Sequence, residues 1–184
     1  AQRAHEIFFA RLNETEQNLA RQLFLRLISI DANGTATRRR VLWAELMAGV
    51  EDNEMLENVI NAFSQHRLLT IDRDQATRSP TVEIAHEALI KAWEQLQQWI
   101  EQNRSALQKR QELRIEVDRW LNNQRDKSYL AVGSRLIEFE DLLENNLLGA
   151  IARLSHGATL SKKPSILLNT FREKTYLNQA IKSL

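Results

Sequence analysis

The chain has 184 residues, 43% of them hydrophobic and 27% charged, with a formal net charge of +1. That length can bury a sizeable core in one medium domain or two small ones, and the balanced charge lacks the basic excess of most nucleic-acid binders. Cysteine is absent, which excludes disulfide frameworks and thiolate chemistry.

The elements follow in chain order. Residues 4–12 read as a short helix with Ile7, Phe8 and Leu12 apolar, part of a helical lead-in over 1–14. Asn13-Glu14-Thr15-Glu16 is a helix start, because Asn13 can cap and Glu16 lies three residues on, as in a capping box. The next helix carries Leu19, Leu23, Leu27 and Ile30 on one face and is expected to stop near Asp31-Ala32-Asn33-Gly34. A short strand is expected over 35–41 and a second helix over about 42–48. A third helix should begin after Asp52, with Met55, Leu56, Val59, Ile60 and Phe63 at helical spacing. The period then changes: 68–72 and 81–85 alternate like strands, joined by a polar loop over 73–80.

Helix, short strand, helix, helix, strand, loop and strand make the order of a winged helix, placed at 15–86. The expected fold class is therefore mainly α, a three-helix core with a small β-wing followed by a helical extension. From His86 the pattern is helical again, with Leu89, Trp93, Leu96 and Ile100 as an apolar stripe. Further helices are expected over about 104–122 and over 134–145, which together with 87–103 make a helical linker domain over 87–145. The tail, 146–184, is broken at Ser155-His156-Gly157 and again at 161–164, and ends in an amphipathic stretch over 165–182. With 5 Gly and 2 Pro in the chain, turn-rich all-β folds are disfavoured.

Three segments together carry a resemblance. They are Leu23-Phe24-Leu25-Arg26-Leu27 with Thr37-Arg38-Arg39-Arg40-Val41, then Val82-Glu83-Ile84-Ala85-His86-Glu87-Ala88-Leu89-Ile90-Lys91-Ala92-Trp93, then Arg125-Asp126 with Tyr129-Leu130 and Gly133-Ser134-Arg135-Leu136. Over about residues 4–145 the chain resembles the region just after the nucleotide-binding domain of bacterial STAND-class signalling NTPases, which often carry a WD-repeat propeller as sensor. In STAND relatives a Met-His-Asp motif follows the last wing strand. Here it reads Ala85-His86-Glu87, departing at both flanking positions. The resemblance implies that His86 contacts the β-phosphate of bound ADP and holds the parent protein closed. It also implies partners within that protein: a P-loop nucleotide-binding domain holding ADP or ATP, a sensor domain, and an oligomer formed on activation.

Physical chemistry suits His86 to that role. A helix N-terminus offers free N–H groups and a positive dipole end to phosphate, and a neutral imidazole still donates one hydrogen bond. The competing reading is that His86 caps or packs against its own helix. A zinc-protease reading of His86-Glu87 fails, since a second His is needed at position 90, which is Ile. The four histidines (5, 66, 86 and 156) are scattered, so no metal site is expected. No Gly-x-x-x-x-Gly-Lys-Ser/Thr run occurs, so no P-loop is present, and no spacing of acids, His and Ser suggests a catalytic site. The chain is expected to be non-catalytic, with no cofactor of its own.

A winged-helix DNA-binding regulator is the alternative. Its reading helix, about 53–66, should present cations to the groove. This one presents Glu54 and Glu57 beside Asn58, Asn61 and Gln65, so DNA binding is disfavoured. Arg38-Arg39-Arg40 could bind a phosphate backbone, but is read as a strand edge of solvated arginines or as ion pairs to a neighbouring domain, and Trp43, Trp93, Trp99 and Trp120 as core or interdomain anchors. No apolar run approaches the roughly 20 residues of a membrane helix, and the start, Ala1-Gln2-Arg3-Ala4-His5-Glu6, lacks an apolar leader. A cytoplasmic piece of a longer protein is expected.

Overall fold

The computed structural model describes residues 1–145 apart from 48, 49, 51, 76 and 125. The expected breaks and helix of the tail over 146–184, and Arg125 of the third segment, lie outside the described residues. The described part is mainly helical with two small antiparallel sheets.

Helix α1, Gln2–Arg11, buries Ala4, Ile7 and Phe8. Helix α2, Glu14–Arg26, begins as its sequence dictates. Asn13 Oδ1 accepts from the Glu16 N–H at 3.0 Å, and the Asn13 N–H donates to the Glu16 carboxylate at 2.9 Å. Two otherwise orphaned helix-start donors are thereby satisfied. Asn13→Ala should lower stability by about 1 kcal/mol; an unchanged urea midpoint would show that the box contributes nothing.

Helix α2 ends four residues earlier than its apolar face suggests. Leu27 turns out of the helix while its N–H bonds the Leu23 and Phe24 carbonyls. Strand β1, Ile28–Ile30, then pairs antiparallel with β2, Ala36–Arg38, in the register Ile28 to Arg38 and Ile30 to Ala36. The cause is local. Asp31 Oδ1 accepts from the Asn33 and Thr35 N–H groups at 2.9 and 2.8 Å, and Gly34 adopts φ 78°. That left-handed conformation suits glycine and closes the hairpin. The expected single strand over 35–41 is thus two, β2 and β3, Val41–Leu42, with Arg39 and Arg40 between them.

Helices α3, Trp43–Met47, and α4, Asn53–Ser64, follow, the latter capped by Asp52 Oδ1 accepting from the Met55 N–H at 2.8 Å. Strands β4, Leu69–Arg73, and β5, Pro80–Ile84, flank the polar loop as expected. Strand β5 is the middle of a three-stranded antiparallel sheet, with β3 on one side and β4 on the other.

The stripe from Leu89 to Ile100 forms two helices rather than one. Helix α5, Ala88–Ala92, and helix α6, Glu94–Gln102, are separated at Trp93, whose backbone is extended at φ −94° and ψ 100°. The Gln97 side-chain amide donates to the Lys91 carbonyl beside this break. A helical spacing of apolar residues survives a one-residue kink, so periodicity could not reveal it. Helix α7, Arg104–Asn122, a 3-10 turn at Lys127–Tyr129 and helix α8, Ser134–Asn145, complete the order.

Among the described residues two apolar cores result. The first gathers side chains from Ala4 to Leu107, including Leu89, Ile90, Trp93, Leu96, Trp99 and Ile100. Its centre is aromatic: Trp93 packs on Phe8, Phe24, Phe63 and Trp99, with ring centroids 5.0–6.1 Å apart. The second core joins Leu113 and Val117 of α7 to Ala131, Leu136 and Phe139. Helix α7 reaches both. Its first half is tied to the hairpin by Arg104 donating to the Gly34 carbonyl at 2.7 Å and by Ser29 donating to Gln111 at 3.0 Å.

Candidate functional site

His86 lies between the end of β5 and the start of α5. Its position is set from both sides. The Ala85 N–H donates to the Leu68 carbonyl at 3.0 Å, which extends the β4–β5 pairing by one bond. The Arg38 guanidinium donates to the Ala85 carbonyl at 3.2 Å. On the other side the His86 carbonyl accepts from the Leu89 N–H at 2.9 Å, and Leu89 and Ile90 are buried in the first core. The backbone at His86 is therefore held by a strand, an arginine and two buried apolar side chains.

The side chain is free of such ties. The His86 residue is exposed, and its ring makes no hydrogen bond among the described residues. Neither does the N–H of His86 or Glu87 donate to a partner there. The capping alternative is thus not what the geometry supplies: Glu87, not His86, occupies the cap position, and no side chain caps α5. One expectation is corrected. Helix α5 has five residues, so it lacks the long aligned run of peptides behind a strong dipole end. Any anion here would meet the imidazole and a few local N–H groups.

The other expected features fall apart from this place. His5 stacks on Phe9 with centroids 4.4 Å apart, His66 Nε2 accepts from Arg11 at 3.2 Å, and His156 lies outside the described residues. Among the described residues no group of three or more His, Cys, Asp or Glu side chains could hold a metal ion. The arginine triplet is engaged within the chain. Arg38 holds Ala85, Arg39 pairs with Glu45 at 2.6 Å, and Arg40 pairs with Glu83 at 2.9 Å. The hydrogen bond to Glu83, followed by that residue's charge, raises the Arg40 pKa above its ordinary value. Sequence reasoning missed the role of Arg38; the signal was the antiparallel pairing of β1 and β2, invisible while Ile28–Ile30 read as helix.

Helix α4 turns Asn53, Glu54, Glu57, Asn58 and Asn61 to solvent. The loop between β4 and β5 is folded on itself: Asp74 Oδ1 accepts from the Thr77 N–H and hydroxyl, each at 2.8 Å. Of the four tryptophans, Trp93, Trp99 and Trp120 are buried, and Trp43 packs partly buried against the first core.

A family model described as novel STAND NTPase 1 matches residues 1–128. The chain belongs to that family. The match takes in both sheets, helices α1 to α7 and the His86 segment of this STAND chain. No curated protein and no solved structure matches it. Among the described residues, no helix of the STAND chain is long and apolar enough to cross a membrane.

Proposed function

We propose that this chain is a non-catalytic regulatory module of a cytoplasmic STAND NTPase. In this reading residues 15–86 are a winged helix and residues 87–145 a helical linker. The parent protein supplies a P-loop domain that holds ADP or ATP. His86 contacts the ADP β-phosphate across the domain boundary and passes the nucleotide state to a sensor domain, such as a WD-repeat propeller. Activation releases the contact and permits oligomerisation.

The observation that carries the reading is the exposed, unbonded imidazole of His86 on a tightly held backbone. An exposed ring with no hydrogen bond among the described residues is available to a ligand, and a fixed backbone reduces the ordering cost of that contact. The family membership supplies the nucleotide context. The order α2, β3, α3, α4, β4, loop, β5, with β5 central in the sheet, supports the winged-helix reading. The alternative of a DNA-binding regulator is disfavoured by the outward Glu54 and Glu57 of α4, which would repel phosphates.

The test is His86→Ala in the intact parent protein. One hydrogen bond to a charged phosphate contributes about 1.5–3 kcal/mol, so ADP retention should fall by about 10-fold or more. The variant should also shift toward the oligomer. Wild-type ADP retention in the variant would sink the sensor role.

A further inference from the structure

The three consecutive arginines at 38–40 meet different partners. Arg39 pairs with Glu45 and Arg40 with Glu83, so each of those charges has a carboxylate beside it. Arg38 is exposed and makes no ion pair among the described residues. Its Nη1 donates to the Ala85 carbonyl at 3.2 Å and lies 3.5 Å from the Ile84 carbonyl. Its Nε and Nη2 make no hydrogen bond among the described residues. Those two nitrogens form the edge of a guanidinium that bonds two oxygens of one anion side by side. Arg38 thus carries an unpaired charge with its bidentate edge open.

The anchor at Ala85 fixes where that charge stands. The accepting oxygen belongs to the peptide that joins Ala85 to His86. By standard covalent dimensions this oxygen is about 2.8 Å from the His86 Cα, so Nη1 lies at most about 6 Å from that atom. Both side chains start from held backbone. Arg38 is in β2, in register with the buried Ile28 of β1, and the β1–β2 turn is tied to α7 by Arg104 donating to the Gly34 carbonyl. Glu87, the carboxylate next to His86 in sequence, is exposed and makes no ion pair among the described residues.

We propose that Arg38 is the cationic partner of His86 and contacts the same terminal phosphate. The inference rests on the nucleotide reading of His86 and adds a residue to it. A neutral imidazole donates one hydrogen bond and brings no charge, whereas a terminal phosphate carries about two negative charges near neutral pH. The imidazole alone leaves that charge unmatched. The Nε–Nη2 edge of Arg38 supplies both a positive charge and a fork that fits two phosphate oxygens, which a point cation cannot do. Arg39 and Arg40 are drawn away to Glu45 and Glu83, so Arg38 is the member of the triplet left for this task. Its bond to the Ala85 carbonyl holds the guanidinium beside the histidine before any ligand arrives, which lowers the ordering cost of the contact.

The experiment measures ADP and AMP affinity in the intact parent protein, because AMP keeps the nucleoside and lacks the terminal phosphate. Arg38→Gln should weaken ADP by about 10-fold or more, the effect of one hydrogen bond between charged groups. AMP affinity should stay at the wild-type value, which also reports a folded variant. Arg38→Lys keeps the charge without the fork and should fall between the two. A residue that merely positioned the imidazole would have nothing left to hold once the ring is gone, so Arg38→Gln added to His86→Ala should weaken ADP further than His86→Ala alone. Three results would overturn the inference while leaving the histidine reading in place: wild-type ADP affinity in Arg38→Gln beside a loss in His86→Ala, a double variant no weaker than His86→Ala, or an equal loss of AMP and ADP in Arg38→Gln. Wild-type ADP affinity in His86→Ala would sink that reading and this inference together.

Discussion

Trp93→Ala should cost about 3–5 kcal/mol, the range for removing a large aromatic from a core. Trp93 is 2% exposed and sits where four elements meet. Its ring touches Phe8 of α1, Phe24 of α2, Phe63 of α4 and Trp99 of α6, three of the four close to edge-on. No neighbour can fill the space, because each of these rings is itself wedged against another. A domain of this size has roughly 5–15 kcal/mol in total, so the variant should be partly unfolded near body temperature. Trp93→Phe separates packing from chemistry. It keeps an aromatic face for the same neighbours and deletes an indole N–H that is buried without a partner among the described residues. Leaving such a donor unpaired costs about 1–3 kcal/mol, so the phenylalanine variant should lose under about 2 kcal/mol. Urea midpoints of the two variants check this. An alanine variant within about 1 kcal/mol of wild type would contradict the role assigned to the ring.

The same residue links packing to the candidate site. Trp93 ends α5, and Leu89 and Ile90 of that helix anchor the segment carrying His86. A core variant here would therefore disturb the backbone at His86 without touching the imidazole. The nucleotide test must rest on His86→Ala, whose exposed side chain can be removed with little effect on the core.

Much of this fold was legible because local and global signals agree. The box at Asn13 and Glu16, the helix start after Asp52 and the polar loop between β4 and β5 are each determined by a few neighbouring side chains, and each stands where it was expected. Two misreadings have one cause. Ile28 and Ile30 continue the apolar face of α2, and Trp93 continues the stripe of α5 into α6, so a 3.6-residue period fits both. The decision lay in other residues. Asp31, Asn33 and Gly34 favour a hairpin turn, and a β-branched pair flanking Ser29 favours a strand over a fifth helical turn. At Trp93 the extended backbone accompanies packing on Phe8, Phe24 and Phe63 of distant elements, which no local pattern contains. The motif position of His86 is legible in the sequence, whereas its exposure depends on tertiary packing. The sequence shows an arginine triplet at 38–40; that Glu45 acts on Arg26, Arg110 and Arg114 as well as pairing with Arg39 depends on tertiary packing.

Glu45→Gln should cost about 2–4 kcal/mol, although it changes no side-chain shape. Glu45 accepts from Arg39 at 2.6 Å, and its charge acts on Arg26, Arg110 and Arg114 as well. Losing one member of a buried pair leaves the other's desolvation uncompensated, typically about 3–5 kcal/mol; partial exposure of Glu45 brings the figure down. Arg39→Gln added to this variant removes one of the stranded cations and should recover part of the loss, which a double-mutant cycle reads directly. The pH dependence has a definite sign. Arg110 is pushed down to about 9, first by burial and then by Arg39, while Glu45 opposes the shift. Between that value and the ordinary arginine pKa, the unfolded chain binds more protons than the folded one, so this group's contribution to stability rises with pH. Without Glu45, Arg26, Arg110 and Arg114 lose their protons more readily in the folded state. The deficit of Glu45→Gln should therefore be largest near pH 7 and narrow by pH 10, measured as the difference in urea midpoints. A deficit that stays constant over that interval would mean that Glu45 acts through its hydrogen bond to Arg39 rather than as the counter-charge of Arg26, Arg110 and Arg114.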